Sequence, residues 1–179
     1  MQNDKLDELI LYRNELIEKL ETREITKTDF IKANYEYISN YKISPYAKIE
    51  NIQKGVLAYQ YFNSTAKYLL SKAFDIELKN PKKAYEIREN GFENYNYKNN
   101  IIKKVLEIVN YKNVEAFFVK MNSKALEGEL FEIVLKDYEK VIFHTRDKLI
   151  LNRLKKNGCF IDGIRDSLID EYINKKYWL

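Results

Sequence analysis

The run FEIVLKDYEKVIFHTRDK, residues 131–148, holds the side chains of this chain best suited to chemistry: Asp137, Glu139 and Lys140 in a polar turn, and His144, the only histidine of 179 residues. Carboxylates on a hairpin beside a lysine are the parts with which nucleases hold a divalent ion. Such a site wants an acid, one spacer and then the lysine on the same strand face. Glu139 and Lys140 are adjacent, and neighbouring strand residues point to opposite faces. The simpler use of Lys136–Glu139 is a turn in which Asp137 bonds its own backbone. His144 closes a strand-like run, and the nearby Arg146 and Lys148 favour a neutral imidazole able to act as a base. A hydrolase built on His144, Asp137 and Glu139 still lacks a nucleophile, because no serine or cysteine lies in a recognisable elbow. The stretch is expected to be scaffold. Phe131, Ile133 and Leu135 would pack inward, Glu132, Val134 and Lys136 would stay partly wet, and Val141 and Phe143 would join the core. On that reading, replacing His144 is mild.

Other motifs fail on inspection. Gly158–Gly163 (GCFIDG) has the outer spacing of a phosphate loop, but Ile164-Arg165 stands where lysine and a hydroxyl residue are required. A helix-turn-helix reader at the C-terminal end would carry Asp162, Asp166, Asp170 and Glu171 on its recognition helix, which repels phosphate. Lys103, Lys104, Lys112, Arg146, Lys148, Arg153, Lys155 and Lys156 would form an RNA-binding patch if the elements bearing them adjoin, with Tyr95, Tyr97 and Tyr111 for stacking. The net charge of +4 adds little to this. It comes from 25 Lys against 6 Arg, alongside 18 Asn, 20 Ile and 15 Tyr. AT-rich coding explains these excesses together, and nucleic-acid sites prefer the planar fork of arginine.

The elements that would position these residues are mostly helices. Leu6, Leu9, Ile10, Arg13, Leu16, Ile17 and Leu20 recur at helical spacing. Thr26 and Asp29 form a capping box ahead of a second helix. Ser44-Pro45 reads as the start of a long helix that holds Ile52 to Phe74 and ends at Asn80-Pro81. Tyr85, Phe92, Tyr95, Ile102, Leu106 and Val109 continue beyond it as a heptad-like seam. The two long helices, each about 40 Å at a 1.5 Å rise, would form an antiparallel hairpin, weakened by Gly91 and five asparagines between residues 88 and 100. The period then shortens. Residues 113–121, 129–136 and 139–145 are rich in Val, Ile and Phe and read as a three-stranded antiparallel meander. Two helices complete the chain, one capped by Thr145 over 146–156 and a last one capped by Asp162, with Ile164, Leu168, Ile169, Tyr172 and Ile173 on its face. The expected fold is α+β and mostly helical, a single domain over 1–179 with a helical part (1–111) and a part (112–179) of meander plus helices.

At this length roughly 70% of the unfolded surface can be buried. No apolar run reaches the 18 or so residues of a membrane span, and the charged, amphipathic N-terminal stretch does not resemble a signal peptide. One cysteine and one histidine cannot complete a four-ligand zinc site of the usual kind, and a lone cysteine suits the cytoplasm. No cofactor and no membrane partner are expected. The runs ITKTDFIKANYEYI, KIENIQKGVLAYQYFNSTAKY, FEIVLKDYEKVIFHTRDKLILNRLKKNG and SLIDEYINKKY resemble a family of small uncharacterised bacterial proteins, mainly of low-GC anaerobes. The resemblance covers nearly the whole chain and implies no activity, ligand or catalytic residue. The residues therefore point to a non-catalytic, cytoplasmic protein that binds another protein or itself. Tyr59, Tyr61, Tyr95 and Tyr97 on the long hairpin are its expected contacts, since tyrosine is enriched at interfaces.

Overall fold

Helix signals in the first hundred residues produce four helices in the computed structural model, which describes residues 2–120, 129–138 and 141–168. They are α1 (Gln2–Glu21), α2 (Lys27–Ile38), α3 (Ile52–Ile76) and α4 (Pro81–Leu106). The capping box at α2 is complete: the Asp29 amide donates to the Thr26 hydroxyl and the Thr26 amide donates back to the Asp29 carboxylate. These bonds satisfy end groups that the helix itself leaves open. Helix α3 does not begin at Ser44-Pro45, which lies in a turn; Asn51 caps it instead by accepting from the Lys54 amide. Asn80 caps α4 through the Lys83 amide, and Pro81 sits at the first helical position, where its missing N–H costs nothing.

The chain divides into two compact units, Met1–Ile102 and Lys103–Leu179. In the first, α3 and α4 run antiparallel. The guanidinium of Arg88 meets Glu77 at 2.8 Å, Gly91 faces Leu70 and Ala66, and Phe62 packs edge-on to Tyr97. A methyl group on Gly91 would lie 3.1 Å from Leu70 Cδ2 and 3.5 Å from the Ala66 carbonyl, so the glycine is what lets the helices approach. Ring stacking binds the other helices: Tyr12 lies on Tyr37, and Tyr35 on Tyr68, each pair with centroids 4.1 Å apart. Much of the tyrosine surplus is thus spent inside the helical unit. Arg13, read as part of the α1 stripe, is indeed buried, 5.7 Å above the Phe30 ring, and desolvation pulls its guanidinium down to about 10.

The second unit is a mixed sheet. Strands β1 (Val114–Lys120), β2 (Phe131–Leu135) and β3 (Val141–Thr145) are antiparallel neighbours, and α5 (Lys148–Lys156) leads to β4 (Phe160–Asp166), which lies parallel to β1. The order is β3-β2-β1-β4. Two expectations are corrected here. Among the described residues the sheet has four strands and is mixed, and the segment from Phe160 to Asp166 is a strand where a helix capped by Asp162 was expected; Ile169, Tyr172 and Ile173 of that expected helix lie outside the described residues. An unpaired β1 edge between buried side chains needs a partner for its backbone groups, and this demand outweighs the helical spacing of a short apolar run. Ala116 pairs with Phe160 but Phe118 with Ile164, so four residues of β4 oppose two fewer on β1, and Gly163 turns at φ +100° to absorb the excess. Helix α5 is capped by Asp147, whose carboxylate accepts the Leu149 and Ile150 amides, in place of the expected Thr145. The architecture is α+β.

Candidate functional site

The hairpin of β2 and β3 places Glu132 opposite His144. Both strands are buried on both faces, against the expectation that the Glu132, Val134 face stays wet. Phe117, Val119, Leu130, Val134 and Ile142 form an apolar cluster on that face, joined by Ile161 and Leu168. Glu132 is 0% exposed within it. A carboxylate in such surroundings must be heavily hydrogen-bonded to persist, and this one is. His144 Nε2 lies 2.7 Å from Oε1, the Ser167 hydroxyl donates to the same oxygen, and the Leu168 amide reaches both oxygens at 3.1 Å.

Ser, Glu and His in contact invite comparison with nucleophilic triads. In those the imidazole takes the nucleophile's proton while the carboxylate orients the imidazole from its far side. Here the imidazole and the hydroxyl address one carboxylate oxygen, and all three residues are buried. The arrangement is a fastener joining β2, β3 and the segment that follows β4. Sequence reading missed Glu132 and Ser167, since a single strand reveals neither that both its faces are covered nor what crosses above it.

The other expected carboxylates do not join His144. Asp137 lies in an exposed 3-10 turn, Lys136–Tyr138, and accepts from the side-chain Nδ2 of Asn113; Glu139 is outside the described residues. Among the basic residues, Lys103 pairs with Asp147 at 3.3 Å, Arg146 reaches Glu129 at 3.7 Å, and Arg153 donates to the Tyr111 hydroxyl at 2.7 Å. Lys155 lies 5.2 Å from the Phe160 ring centroid, while Lys112, Lys148 and Lys156 are exposed.

Of the hairpin tyrosines, Tyr59 is completely buried, contrary to the expected exposure, with Lys98 5.9 Å from its ring. Tyr61, Tyr95 and Tyr97 are half-buried, Tyr61 edge-on to Phe62, Tyr95 beneath Lys98 and Tyr97 donating to Glu93. Exposed large apolar residues are scattered over the described chain, Leu11, Tyr46 and Leu149 among them, and four lie on or between α3 and α4. Phe74 is 77% exposed, Leu78 98%, Tyr85 60% and Phe92 46%. Ala73, Ala84 and Gly91 are buried at the helix contact, so the residue after each is turned about 100° away from it. In an antiparallel pair that rotation leads to the same side of both helices. Phe74, Tyr85 and Phe92 therefore share one face near the α3–α4 turn, with Leu78 at its end. The expected seam through Tyr85 and Phe92 is corrected accordingly: small residues one position earlier take the inward line because they allow closer helix approach.

Comparison with known proteins identifies a protein family and stops there. The chain belongs to a family of unknown function (DUF6648), matched over residues 1–177. No curated protein and no solved structure matches it. Among the described residues, no helix is long and apolar enough to cross a membrane.

Proposed function

We propose that this chain is a non-catalytic protein-binding module whose contact surface is the apolar face of the α3–α4 pair. The observation that carries the reading is the exposure of Phe74, Tyr85 and Phe92, which helix geometry puts on one side of α3 and α4, together with exposed Leu78 in the turn between them. Single exposed apolar residues are ordinary, but a contiguous group of large ones marks a surface that another macromolecule covers. Aromatic anchors are the residues from which interfaces draw most of their binding energy. The lone cysteine supports a cytoplasmic setting for it.

An RNA-binding role has less support. Lys103 and Arg146 already face Asp147 and Glu129, which lowers the charge left for phosphates, and Arg153 spends one donor on the Tyr111 hydroxyl. Hydrolysis at the β2–β3 hairpin has less still, because His144 is engaged by buried Glu132 and Asp137 by Asn113.

Photo-crosslinking in cells tests the reading. A crosslinking amino acid at Leu78 is expected to yield a discrete protein adduct, weakened by Phe74→Ser, and one at exposed Lys83 is expected to yield none. No adduct at Leu78, or equal adducts at both positions, would refute it.

A further inference from the structure

We propose that β4 is a releasable strap, latched at its C-terminal end by Glu132. Five of its seven residues, Asp162 to Asp166, are exposed, including Ile164 at 48%, whereas β2 and β3 are buried throughout. Among the described residues it lies at one edge of the sheet and pairs on one side, with β1, through a parallel ladder broken between Ala116 and Phe118. Parallel pairing is the slightly weaker kind, and a register break removes ladder bonds. Gly163, with φ +100° and open space around it, gives the strand a pivot inside its own length. Low apolar burial and an exposed ladder are the features of segments that open without global unfolding.

Both ends of the strap are held. At its start the Cys159 carbonyl accepts the Ala116 amide, and Phe160 packs against Phe118 and beneath Lys155. At its end the Ser167 amide donates to the Lys120 carbonyl, while the Ser167 hydroxyl and the Leu168 amide converge on Glu132. The second attachment reaches over β1 to β2, so it holds the strap to the core of the sheet and not merely to its neighbour. Together with the Leu168 side chain against the apolar cluster and Arg165 4.7 Å from the Phe117 ring centroid, it holds the run from Gly163 to Leu168, and release of that run opens the outer edge of β1.

Hydrogen exchange of the full chain, read by mass spectrometry, tests the latch. In the wild type, amides of 163–167 are expected to exchange at least tenfold faster than those of 131–135 and 141–145. Ser167→Ala removes one strap-side bond and leaves the Glu132–His144 contact in place. It is expected to speed exchange over 163–167 by a further severalfold, with β2 and β3 unchanged. Exchange of β4 in step with β2 and β3 in the wild type would overturn the proposal, as would a Ser167→Ala effect spread equally over all four strands.

Discussion

Replacing Glu132 by glutamine keeps the side-chain shape and one acceptor oxygen, but it turns the other oxygen into a donor in a site that already gathers the His144 ring nitrogen, the Ser167 hydroxyl and the Leu168 amide. One of these groups then loses its acceptor, and the rest lose the help of the charge. A hydrogen bond to a charged group contributes about 1.5–3 kcal/mol, and a buried donor left unmet costs about 1–3 kcal/mol. Removing the charge also relieves the desolvation of a carboxylate that is 0% exposed, which offsets part of the loss. The expected net is about 2–4 kcal/mol, a large share of a typical 5–15 kcal/mol. Urea unfolding followed by far-UV circular dichroism measures it, with an unchanged slope showing that only stability has moved. A Glu132→Gln variant within about 0.5 kcal/mol of wild type, where the magnitudes above predict several times that, would show that the carboxylate fastens nothing.

Phe143 is 0% exposed in the centre of β3, so Phe143→Ala is expected to cost about 3–5 kcal/mol by the same urea assay. Cys159 is buried and donates to the Tyr111 carbonyl, and burial raises its thiol above the ordinary value. A disulfide reagent at pH 8 is therefore expected to react with it far more slowly in the native chain than in urea. Asp29 is held below its ordinary value by the Thr26 amide and hydroxyl. Its contribution to stability is thus present above the unfolded carboxylate value and lost as the pH falls through the lower folded one. Carboxyl NMR should show that depressed titration in the wild type and its partial return toward normal in Thr26→Ala, which is also expected to lose about 1 kcal/mol as a helix cap.

Local rules made several elements legible in the residues alone. Thr26 and Asp29 act within four residues of each other, so the start of α2 needs no tertiary information. The end of α3, the start of α4 at Pro81 and the strand character of Val114–Lys120, Phe131–Leu135 and Val141–Thr145 likewise follow from Pro, Asn and β-branched residues acting on their own backbone. Periodicity also showed Leu9 and Ile17 to be core residues. What it could not show is which of two adjacent residues faces a partner helix. Tyr85 and Phe92 fit the seam by hydrophobicity, and Ala84 and Gly91 took it by size, a choice made by the distance between helices. The fate of Phe160–Asp166 was settled in the same way, by the open edge of a strand more than forty residues earlier in the chain. Glu132 looked like a partly wet strand residue because alternation along one strand assigns sides without saying what covers them. The contacts of Glu132 with His144, 12 positions away, and with Ser167, 35 away, exist only once the sheet is assembled and Ser167 reaches it. Burial in that assembled layer is what makes Glu132 a fastener, since a buried polar group needs the hydrogen-bond donors that folding brings to it.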